Sequence, residues 1–466
     1  MKLIDLRRLK PTLYNHKATF GTPPHNAGRE DEFVYRQFKE LGTIFLNRLD
    51  GEFGYVYESA ANHEIMAVRD WLGEVPLHYL VSKDRIYFAN FIGDLLANVP
   101  NASYEDVRAV NRSEFVTVNT LTGTITHRLY YNFNQQKLPF DYSNPQEVAD
   151  YVHDLLIQAT AKRLGACDPT RTAIVLSGGI DSMSVAYLAS TFSKDIPVFT
   201  LQVAGQLSTD VLRSRRIAHY FGLKHRTVNI CHKDIVESLA PAIAESEIYH
   251  AYNVYCAVGM HHLAKKLERK GIRHVFTGEG GNEAFGDYHD WIVKDPVTKE
   301  VLTLQKTGAE FELPVGREAY IWGNLKAEAA GRYNKQLGSG LGKHGGSRMY
   351  KPMFKHGITL LSPYLDKLIM KILANIPTEQ LDSIGGKQGF MRMVFARELA
   401  TGKIPHEFFN VAKIRFQDAS EAGSGGITET LLKAGFNQQK VIDLFNELFQ
   451  AHIVALPHLQ ETNLFQ

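Results

Sequence analysis

The sequence predicts an α/β fold with two domains and a linker between them. Its 466 residues are too many for one ordinary domain. Residues 1–133 read mostly as short strands, whereas residues 146–466 alternate between strand and helix patterns. Strands that alternate with helices indicate a parallel sheet with crossover helices. We therefore expect a β-rich front domain, a polar linker at residues 134–145, and a parallel-sheet domain that ends in helices.

The predicted strands of the front domain are short, rich in Tyr, Val, Ile and Phe, and separated by polar turns. They cover Glu52–Tyr57, Ile65–Arg69, Pro76–Val81, Arg85–Ala89, Phe115–Asn119 and Thr124–Arg128. The last two flank Leu121-Thr122-Gly123, which is typical of a hairpin turn.

The second domain begins with a predicted amphipathic helix, Gln146–Leu164, and continues with alternating elements. Its predicted strands are Thr172–Leu176, Val198–Val203 and His274–Phe276. Its other predicted helices are Met183–Phe192, Asp210–Phe221, Ala257–Leu267, Leu360–Ile376 and Gln388–Leu399. Ser208 and Thr209 are predicted to cap the helix Asp210–Phe221.

Composition and charge exclude several classes of protein. The 52 Lys and Arg residues against 50 Asp and Glu residues leave a net charge of +2, which excludes a generally basic nucleic-acid coat. No apolar run approaches the ~20 residues that cross a bilayer, and the start MKLIDLRRLK lacks a signal core. Cys167, Cys231 and Cys256 fit a reducing compartment better than a disulfide scaffold. We expect a soluble cytoplasmic protein.

The segment VLSGGIDS, Val175–Ser182, lies between a predicted buried strand and a predicted helix. Ser177, Gly178 and Gly179 can present backbone N–H groups to an anion, and the start of the helix adds partial positive charge. Asp181 supplies a carboxylate that suits Mg²⁺ held against a polyphosphate. The segment lacks the Gly-Lys-Ser/Thr of a Walker A loop. A tight turn that needs glycine for geometry alone is the alternative.

The segment FTGEGGNEAFGDY, Phe276–Tyr288, follows another short apolar strand. It places Glu279 and neighbouring N–H groups at the carboxyl edge of the sheet, where open α/β sheets bind ligands. Taken alone, the segment also fits an acidic surface loop. The presence of both segments in one chain favours a binding site.

The order of six motifs resembles the asparagine synthetase family, which includes β-lactam synthetases and lasso-peptide cyclases. The motifs are LDGEFGYVY (49–57), RDWLGEVPLHY (69–79), LSGGIDS (176–182), GEGGNEAFG (278–286), LSPYLDK (361–367) and VAKIRFQDAS (411–420). The resemblance implies that residues 1–133 are a truncated glutaminase domain of the N-terminal-nucleophile type. It implies that residues 146–466 form an ATP-pyrophosphatase domain, similar to adenine nucleotide α-hydrolases.

The resemblance also implies an activity and a set of site residues. Members adenylate a carboxylate with ATP, release pyrophosphate, and transfer the acyl group to ammonia or an amine. By similarity, Ser177–Ser182 holds the pyrophosphate end of ATP, with Asp181 on Mg²⁺. Glu279 matches the glutamate associated with acyl-adenylate formation, and Lys413 matches a lysine that neutralises developing phosphate charge. The positions matched to the adenosine pocket are Leu176, Leu201, Thr277 and Gly278.

The chain departs from the family at a second magnesium position. Asn282 stands where related enzymes have an aspartate that binds a second Mg²⁺. An amide oxygen can coordinate Mg²⁺ but brings no negative charge, so we expect weaker binding, and Glu283 is a candidate to compensate.

A larger departure lies at the front. Glutamine-using members begin Met-Cys and hydrolyse glutamine with that cysteine, whereas this chain begins Met1-Lys2 and has no cysteine before Cys167. The stretch before Leu49 is also too short for the glutamine-binding half of such a domain. We therefore predict no intrinsic glutaminase activity. Ammonia would be free or delivered by a separate glutaminase subunit, or the nucleophile would be another amine.

The leading interpretation is an AMP-forming amide ligase that uses ATP and Mg²⁺ on a small-molecule or peptide carboxylate. One alternative is a non-catalytic or partner-completed nucleotide-binding subunit. Another is an enzyme that modifies nucleic acid, which the neutral net charge disfavours. No zinc site is predicted, because the histidines that stand out lack metal-ligand spacing. These are His261, His262, His344 and His356.

Overall fold

A computed structural model describes residues 1–9, 11–15, 30–131, 141–203, 208–281, 291–294, 301–304, 345–410 and 426–453. The chain divides into two units, the first of which is Met1–Gln136 together with Asp443–Ile453. The second unit is Lys137–Ile442 together with Val454–Gln466. Most of the predicted linker lies outside the described residues. The sequence pattern did not indicate that Asp443–Ile453 groups with the first unit.

The first unit contains two four-stranded sheets, with strand orders β1-β7-β6-β8 and β10-β9-β5-β4. The predicted strands are confirmed except Glu52–Tyr57, which is divided between two strands in different sheets, and β9 and β10 form the predicted antiparallel hairpin. The strands are β1 (Lys2–Asp5), β2 (Thr12–Leu13), β3 (Gly51–Glu52), β4 (Gly54–Ser59), β5 (Glu64–Arg69), β6 (His78–Ser82), β7 (Arg85–Ala89), β8 (Arg108–Ala109), β9 (Glu114–Asn119) and β10 (Ile125–Leu129). The helices are α1 (Glu30–Leu41), α2 (Thr43–Arg48) and α3 (Ile92–Asn98).

Both sheets contribute apolar side chains to one buried cluster. Because successive side chains of a strand point to opposite faces, every second residue of β5, β7 and β9 can enter this core. The cluster is formed by Val56, Ile65, Ala67, Leu77, Tyr79, Ile86, Phe88, Val110, Val116 and Val118.

The motif RDWLGEVPLHY has a structural role in the first unit. The buried Asp70 carboxylate accepts hydrogen bonds from the backbone N–H groups of Leu72 (3.1 Å), Glu74 (2.9 Å) and Val75 (3.0 Å). Burial raises the pKa of Asp70, although the Arg69 guanidinium and these N–H donors oppose the shift. The Arg69 Nε donates to the Val75 carbonyl oxygen at 2.6 Å. Asp70 and Arg69 therefore fix the loop that follows β5.

The second unit is built on a parallel sheet of five strands with the order β13-β12-β11-β14-β17. Its strands are β11 (Thr172–Val175), β12 (Val198–Val203), β13 (His225–Ile230), β14 (His274–Phe276) and β17 (Thr359–Leu361), and a separate antiparallel pair is β15 (Trp291–Lys294) with β16 (Val301–Leu304). The helices before β14 are α4 (Pro145–Gly165), α5 (Ile180–Phe192), α6 (Thr209–Tyr220), α7 (His232–Glu237), α8 (Leu239–Ser246) and α9 (Ala251–Glu268). The later helices are α10 (Gly345–Lys355), α11 (Lys367–Asn375), α12 (Thr378–Ser383), α13 (Gly386–Val394), α14 (Ala396–Ala400) and α15 (Ile427–Lys433), followed by α16 (Gln438–Phe449), whose residues from Asp443 onward group with the first unit.

The predicted α/β fold class is confirmed, since a β-rich unit accompanies a parallel-sheet unit with C-terminal helices. Of the two predicted caps, Ser208 is confirmed, because its hydroxyl accepts a hydrogen bond from the Val211 N–H at 3.2 Å, whereas Thr209 is the first residue of the helix. None of the described helices is long and apolar enough to span a membrane.

Three of the predicted helices are wrong in their bounds, and the one predicted as Ala257–Leu267 already begins at Ala251. Leu360–Ile376 was predicted as one helix, but its first two residues lie in β17 and the helix begins at Lys367. A short, continuously apolar run is compatible with a buried strand or a buried helix, so periodicity could not separate them. Gln388–Leu399 is two helices, because the backbone leaves the helical conformation at Phe395.

Asp366 joins α11 to α4. Its carboxylate accepts a hydrogen bond from the Leu368 N–H at 3.0 Å, which caps α11, and forms ion pairs with Lys162 and Arg163 of α4. Burial raises the pKa of Asp366, but the two cations more than offset this, so the pKa lies below its ordinary value. Such a group adds stability above its unfolded pKa, and this stability is lost as the pH falls through the folded pKa.

We therefore expect Asp366→Asn to lower the free energy of unfolding at pH 7 by on the order of 3 kcal/mol, because it removes the carboxylate charge that pairs with the buried Arg163 and the half-buried Lys162. The difference from the wild type should be smaller at pH 3, below the ordinary pKa of an aspartate, because the unfolded wild type is then protonated and folding must release that proton. Denaturant titrations at both pH values measure this. An equal loss at pH 7 and pH 3 would show that the capping hydrogen bond, and not the charge, is responsible.

Candidate active site

The parallel sheet has its topological switch point between β11 and β14. From β11 the chain builds β12 and β13 on one side, whereas β14 and β17 lie on the other side. All four strand pairings are parallel, so the carboxyl ends of the strands lie at the same edge. Open α/β sheets bind ligands at this edge, in the crevice at the switch point. The two glycine-rich segments follow β11 and β14 and so meet there.

The loop after β11 is a tight turn closed by two serine hydroxyls. The Ser177 N–H donates to the Ser182 Oγ at 3.2 Å, and the two hydroxyl oxygens are 3.0 Å apart. The Ser182 hydroxyl also donates to the Gly179 carbonyl oxygen at 3.1 Å. Gly178 has a φ of 78°, in the left-handed region that favours glycine. Helix α5 begins directly after Gly179, a residue with no side chain to accept the first helical N–H groups.

The loop after β14 packs directly against the start of α5. A β-carbon placed on Gly278 would lie 2.6 Å from the Asp181 carbonyl carbon and from the Ser182 nitrogen. A β-carbon placed on Gly281 would lie 2.6 Å from the Asp181 Oδ1. Both distances are far below van der Waals contact, so these positions have room for glycine alone. The glycines of this loop therefore bring its backbone against Asp181.

Asp181 is the side chain shared by the two loops. Its Oδ2 accepts a hydrogen bond from the Lys387 Nζ at 2.6 Å, and both side chains are largely buried. Its Oδ1 is buried and has no hydrogen-bond partner in the part of the chain that the structure describes. A buried carboxylate oxygen without a partner is costly and calls for an explanation. A bound cation is one, because carboxylate oxygens are preferred ligands of Mg²⁺.

Tyr364 of the LSPYLDK motif forms a hydrogen bond with the first turns of α5. The Tyr364 hydroxyl lies 2.6 Å from the Ser184 hydroxyl, which in turn donates to the Asp181 carbonyl oxygen at 2.9 Å. Burial, together with the negative charge of Asp181, raises the pKa of Tyr364 well above its ordinary value. The phenol therefore remains neutral and keeps this chain of hydrogen bonds intact. Its effect on the site is to fix the first turn of α5.

The positions matched to the adenosine pocket lie at the same edge of the sheet. Leu176 follows β11 and is completely buried, whereas Leu201 in β12 is half-buried. The Leu176 N–H donates to the Phe199 carbonyl oxygen at 3.0 Å, and Leu201 lies further along β12. Leu176 belongs to the core below the turn.

Thr277 and Glu279 lie in the loop after β14. The Thr277 N–H donates to the Leu361 carbonyl oxygen at 3.0 Å, which extends the pairing of β14 with β17. The Ser362 hydroxyl donates to the Glu279 carbonyl oxygen, and the Glu279 side chain is half-buried. The loop is therefore tied to β17 on one side and to α5 on the other.

The site contains one residue that sequence reasoning missed. Lys387, in the first turn of α13, reaches Asp181 across 206 positions of sequence. A lysine after two glycines carries no specific signal, so nothing in this single sequence could have identified it. The remaining predicted site residues, Lys413, Asn282 and Glu283, lie outside the described residues.

Two protein-family models match parts of this chain. The asparagine synthase family model matches residues 151–343, which contain both glycine-rich loops, and a glutamine amidotransferase domain model matches residues 7–97. The chain belongs to the asparagine synthetase family. This confirms the resemblance drawn from the six motifs.

The curated relatives of this family member include two differently named groups. A glutamine-hydrolysing asparagine synthetase from Zea mays is 26% identical over 304 residues, which are 62% of this chain and 49% of the relative. The amidase chyE from Penicillium rubens is 28% identical over 293 residues, which are 55% of this chain and 43% of the relative. The chain spans about half the length of the curated relatives it matches.

Among solved structures, an NMN synthetase from Francisella tularensis matches 58% of this chain and 98% of its own chain. The sequence identity is 13% and the TM-score is 0.24, a likeness too low to support an argument about the site.

Proposed function

We propose that this asparagine synthetase family member is an ATP-dependent, AMP-forming amide ligase. It activates a substrate carboxylate as an acyl-adenylate, and ammonia or an amine then attacks the acyl carbon to form the amide and release AMP. The observation that carries the proposal is the meeting of the SGG turn and the GEGG loop around Asp181 at the switch point of the sheet. Family membership and relatives named for amide chemistry support it.

Each residue of the site has a proposed task. The turn Ser177–Ser182 binds the β and γ phosphates through backbone N–H groups and the start of α5, which favour negative charge. Leu176, Leu201, Thr277 and Gly278 belong to the adenosine side, and Glu279 is assigned to formation of the acyl-adenylate. Lys413 is assigned to the charge that develops on the departing pyrophosphate.

Asp181 is the residue that fits Mg²⁺, because one of its oxygens is buried and lacks a hydrogen-bond partner in the described chain. Asn282 and Glu283 are the other oxygen ligands we propose. Bound Mg²⁺ would neutralise phosphate charge. The ion pair with Lys387 holds the Asp181 carboxylate in place, and the phosphates of ATP supply further attraction for the ion.

We further propose that the first unit does not hydrolyse glutamine. It matches a glutamine amidotransferase model, yet residues 1–166 contain no cysteine and hence no thiol nucleophile. The nitrogen would come from free ammonia, from a separate glutaminase subunit, or from an amine of the substrate. The three cysteines form no disulfide, which suits the cytoplasmic location we propose.

The position at which ATP is cleaved tests the proposed function. The chain is incubated with ATP, Mg²⁺, ammonium and a panel of carboxylic acids, and the products are resolved by phosphorus NMR. AMP and pyrophosphate that form only with an acid present support the proposal. ADP and phosphate as the products, under the same conditions, would overturn it.

We expect Lys387→Gln to raise the Mg²⁺ concentration needed for half-maximal turnover by about 10- to 100-fold. This is the usual effect of removing a group that orients a metal ligand. Without the ammonium, the Asp181 carboxylate is no longer held in one rotamer beside the loop. The readout is the Mg²⁺ concentration for half-maximal rate, measured separately from the KM for ATP.

Lys351→Gln is the matched control for that variant. Lys351 is also buried against a carboxylate, with its Nζ 2.7 Å from the Glu247 Oε2, but it does not contact Asp181. It should cost stability without moving the Mg²⁺ dependence. An equal shift in both variants would mean that Lys387 acts only through overall stability.

A further inference from the structure

Three side chains with metal-ligating atoms meet outside the candidate active site. Glu245 lies in α8, His261 lies in α9, and His356 follows α10 directly. One potential ligand atom from each lies within 4.8 Å of the others. The three side chains are 13%, 8% and 15% exposed, so the cluster is largely closed to solvent.

The cluster lies away from the switch point. His356 precedes β17, and the Arg273 Nη1, just before β14, donates to the His356 carbonyl oxygen at 3.0 Å. These residues are at the amino ends of their strands, whereas the nucleotide site is at the carboxyl ends. The cluster is therefore distinct from the site of the proposed reaction.

Glu245 presents one carboxylate oxygen to each imidazole. Its Oε2 is 2.8 Å from the His261 Nδ1, and its Oε1 is 3.3 Å from the His356 Nε2. Two ligands of one tetrahedral zinc ion lie about 3.3 Å apart, given bonds of about 2.0–2.1 Å. The two observed separations involve different oxygens of Glu245, and one ligand atom from each side chain lies within 4.8 Å of the others, so side-chain rotations are needed to bring three atoms to one ion.

The orientation of His356 points to a missing positive charge. Its Nδ1 lies 2.7 Å from the Glu268 Oε2, and the Nδ1–H is the donor in that hydrogen bond. In the neutral imidazole, Nε2 then presents a lone pair, and this atom is buried without a hydrogen-bond partner in the described chain. A lone pair that faces a carboxylate oxygen needs a cation between them.

We propose that Glu245, His261 and His356 bind a divalent transition-metal ion of the zinc class. Two imidazole nitrogens and one carboxylate oxygen are a common donor set for zinc. Glu268 supplies the outer carboxylate that orients a metal-bound histidine. The ion links α8, α9 and the end of α10, so its binding stabilises the second unit.

Titration of the metal-free full chain with Zn²⁺ tests the proposal, by calorimetry and by the rise in the unfolding temperature. One Zn²⁺ should bind per chain, and Glu245→Gln and His356→Gln should each weaken binding at least 100-fold. Glu268→Gln should weaken it about 10- to 100-fold, because it removes only the outer carboxylate. His262→Gln is the matched control, since the His262 Nε2 bonds to the Asn229 carbonyl oxygen instead.

Binding that persists in Glu245→Gln and His356→Gln, or a wild type that binds no more Zn²⁺ than His356→Gln, overturns the proposal. If the wild type does not bind Zn²⁺ more tightly than His356→Gln, a proton and not a metal ion lies between the His356 Nε2 and the Glu245 carboxylate. X-ray absorption of the wild-type zinc complex decides the matter even if a variant does not fold. Two imidazoles and an oxygen ligand support the site, and sulfur ligands contradict it.

Discussion

Asp181→Asn is expected to reduce ATP turnover by at least about 10³-fold, because several kcal/mol of phosphate-charge stabilisation depend on this carboxylate. Asp181 contacts both glycine-rich loops and carries the buried oxygen that fits Mg²⁺. The amide keeps the size of the side chain but not its charge, and it also loses the ion pair with Lys387. Steady-state release of AMP, measured at saturating ATP and Mg²⁺, gives the effect.

Asp234→Asn is the matched control for this variant. Asp234 is also a carboxylate in the first turn of a helix of the second unit, but α7 follows the edge strand β13, two strands from β11. It should lose a capping interaction and keep its turnover. If Asp181→Asn folds and retains more than about a tenth of the wild-type rate, Asp181 does not have the role assigned to it.

Gly278→Ala is expected to have the next largest effect, although it adds only a methyl group. The new carbon would lie 2.6 Å from backbone atoms of Asp181 and Ser182, and backbone cannot turn aside as a flexible side chain can. The loop and the turn must separate, which moves the N–H groups that we propose to bind phosphate relative to Asp181. Because a displacement of about 1 Å can cost about 10²-fold in rate, we expect a loss of at least that size.

Gly165→Ala is the control for the added methyl group. Gly165 ends α4, has open space around its α-carbon, and needs no left-handed backbone. The variant should match the wild type in turnover. ATP binding by Gly278→Ala, measured by calorimetry, should weaken in parallel with its rate. Normal turnover in Gly278→Ala would contradict the close contact between the two loops.

Much of the fold could be predicted because local patterns determine it. The alternation of β11, α5, β12 and α6 is visible as apolar strands and amphipathic helices, and Ser208 is the expected helix cap. The two glycine-rich loops could be placed at one edge because parallel strands share their carboxyl ends. These inferences need only residues close in sequence.

The rest depends on contacts that no local pattern encodes. β17 was predicted as part of a helix because a short buried strand and a buried helix have the same apolar composition. Lys387 reaches Asp181 from a distant helix, so its role follows from the tertiary packing of α13. Gly278 is predicted only as a match to the adenosine pocket and Gly281 has no predicted role, whereas the structure gives both a steric reason, the contact with Asp181.

The Glu245, His261 and His356 cluster shows the same limit on sequence reasoning. Metal-ligand spacing rules detect ligands that lie near one another in the chain. Here each ligand comes from a separate helical segment, so the histidines looked unrelated. The packing of α9 against α8 and α10 is what brings them together.

The central claim is that this chain activates a carboxylate with ATP, and isotope exchange tests it most directly. Labelled pyrophosphate is incubated with ATP, Mg²⁺ and one acid at a time, from aspartate to other amino and peptide acids. We predict exchange of label into ATP that depends on at least one acid and is lost in Asp181→Asn. ATP binding without exchange for any acid would contradict the claim and favour a non-catalytic, partner-completed subunit.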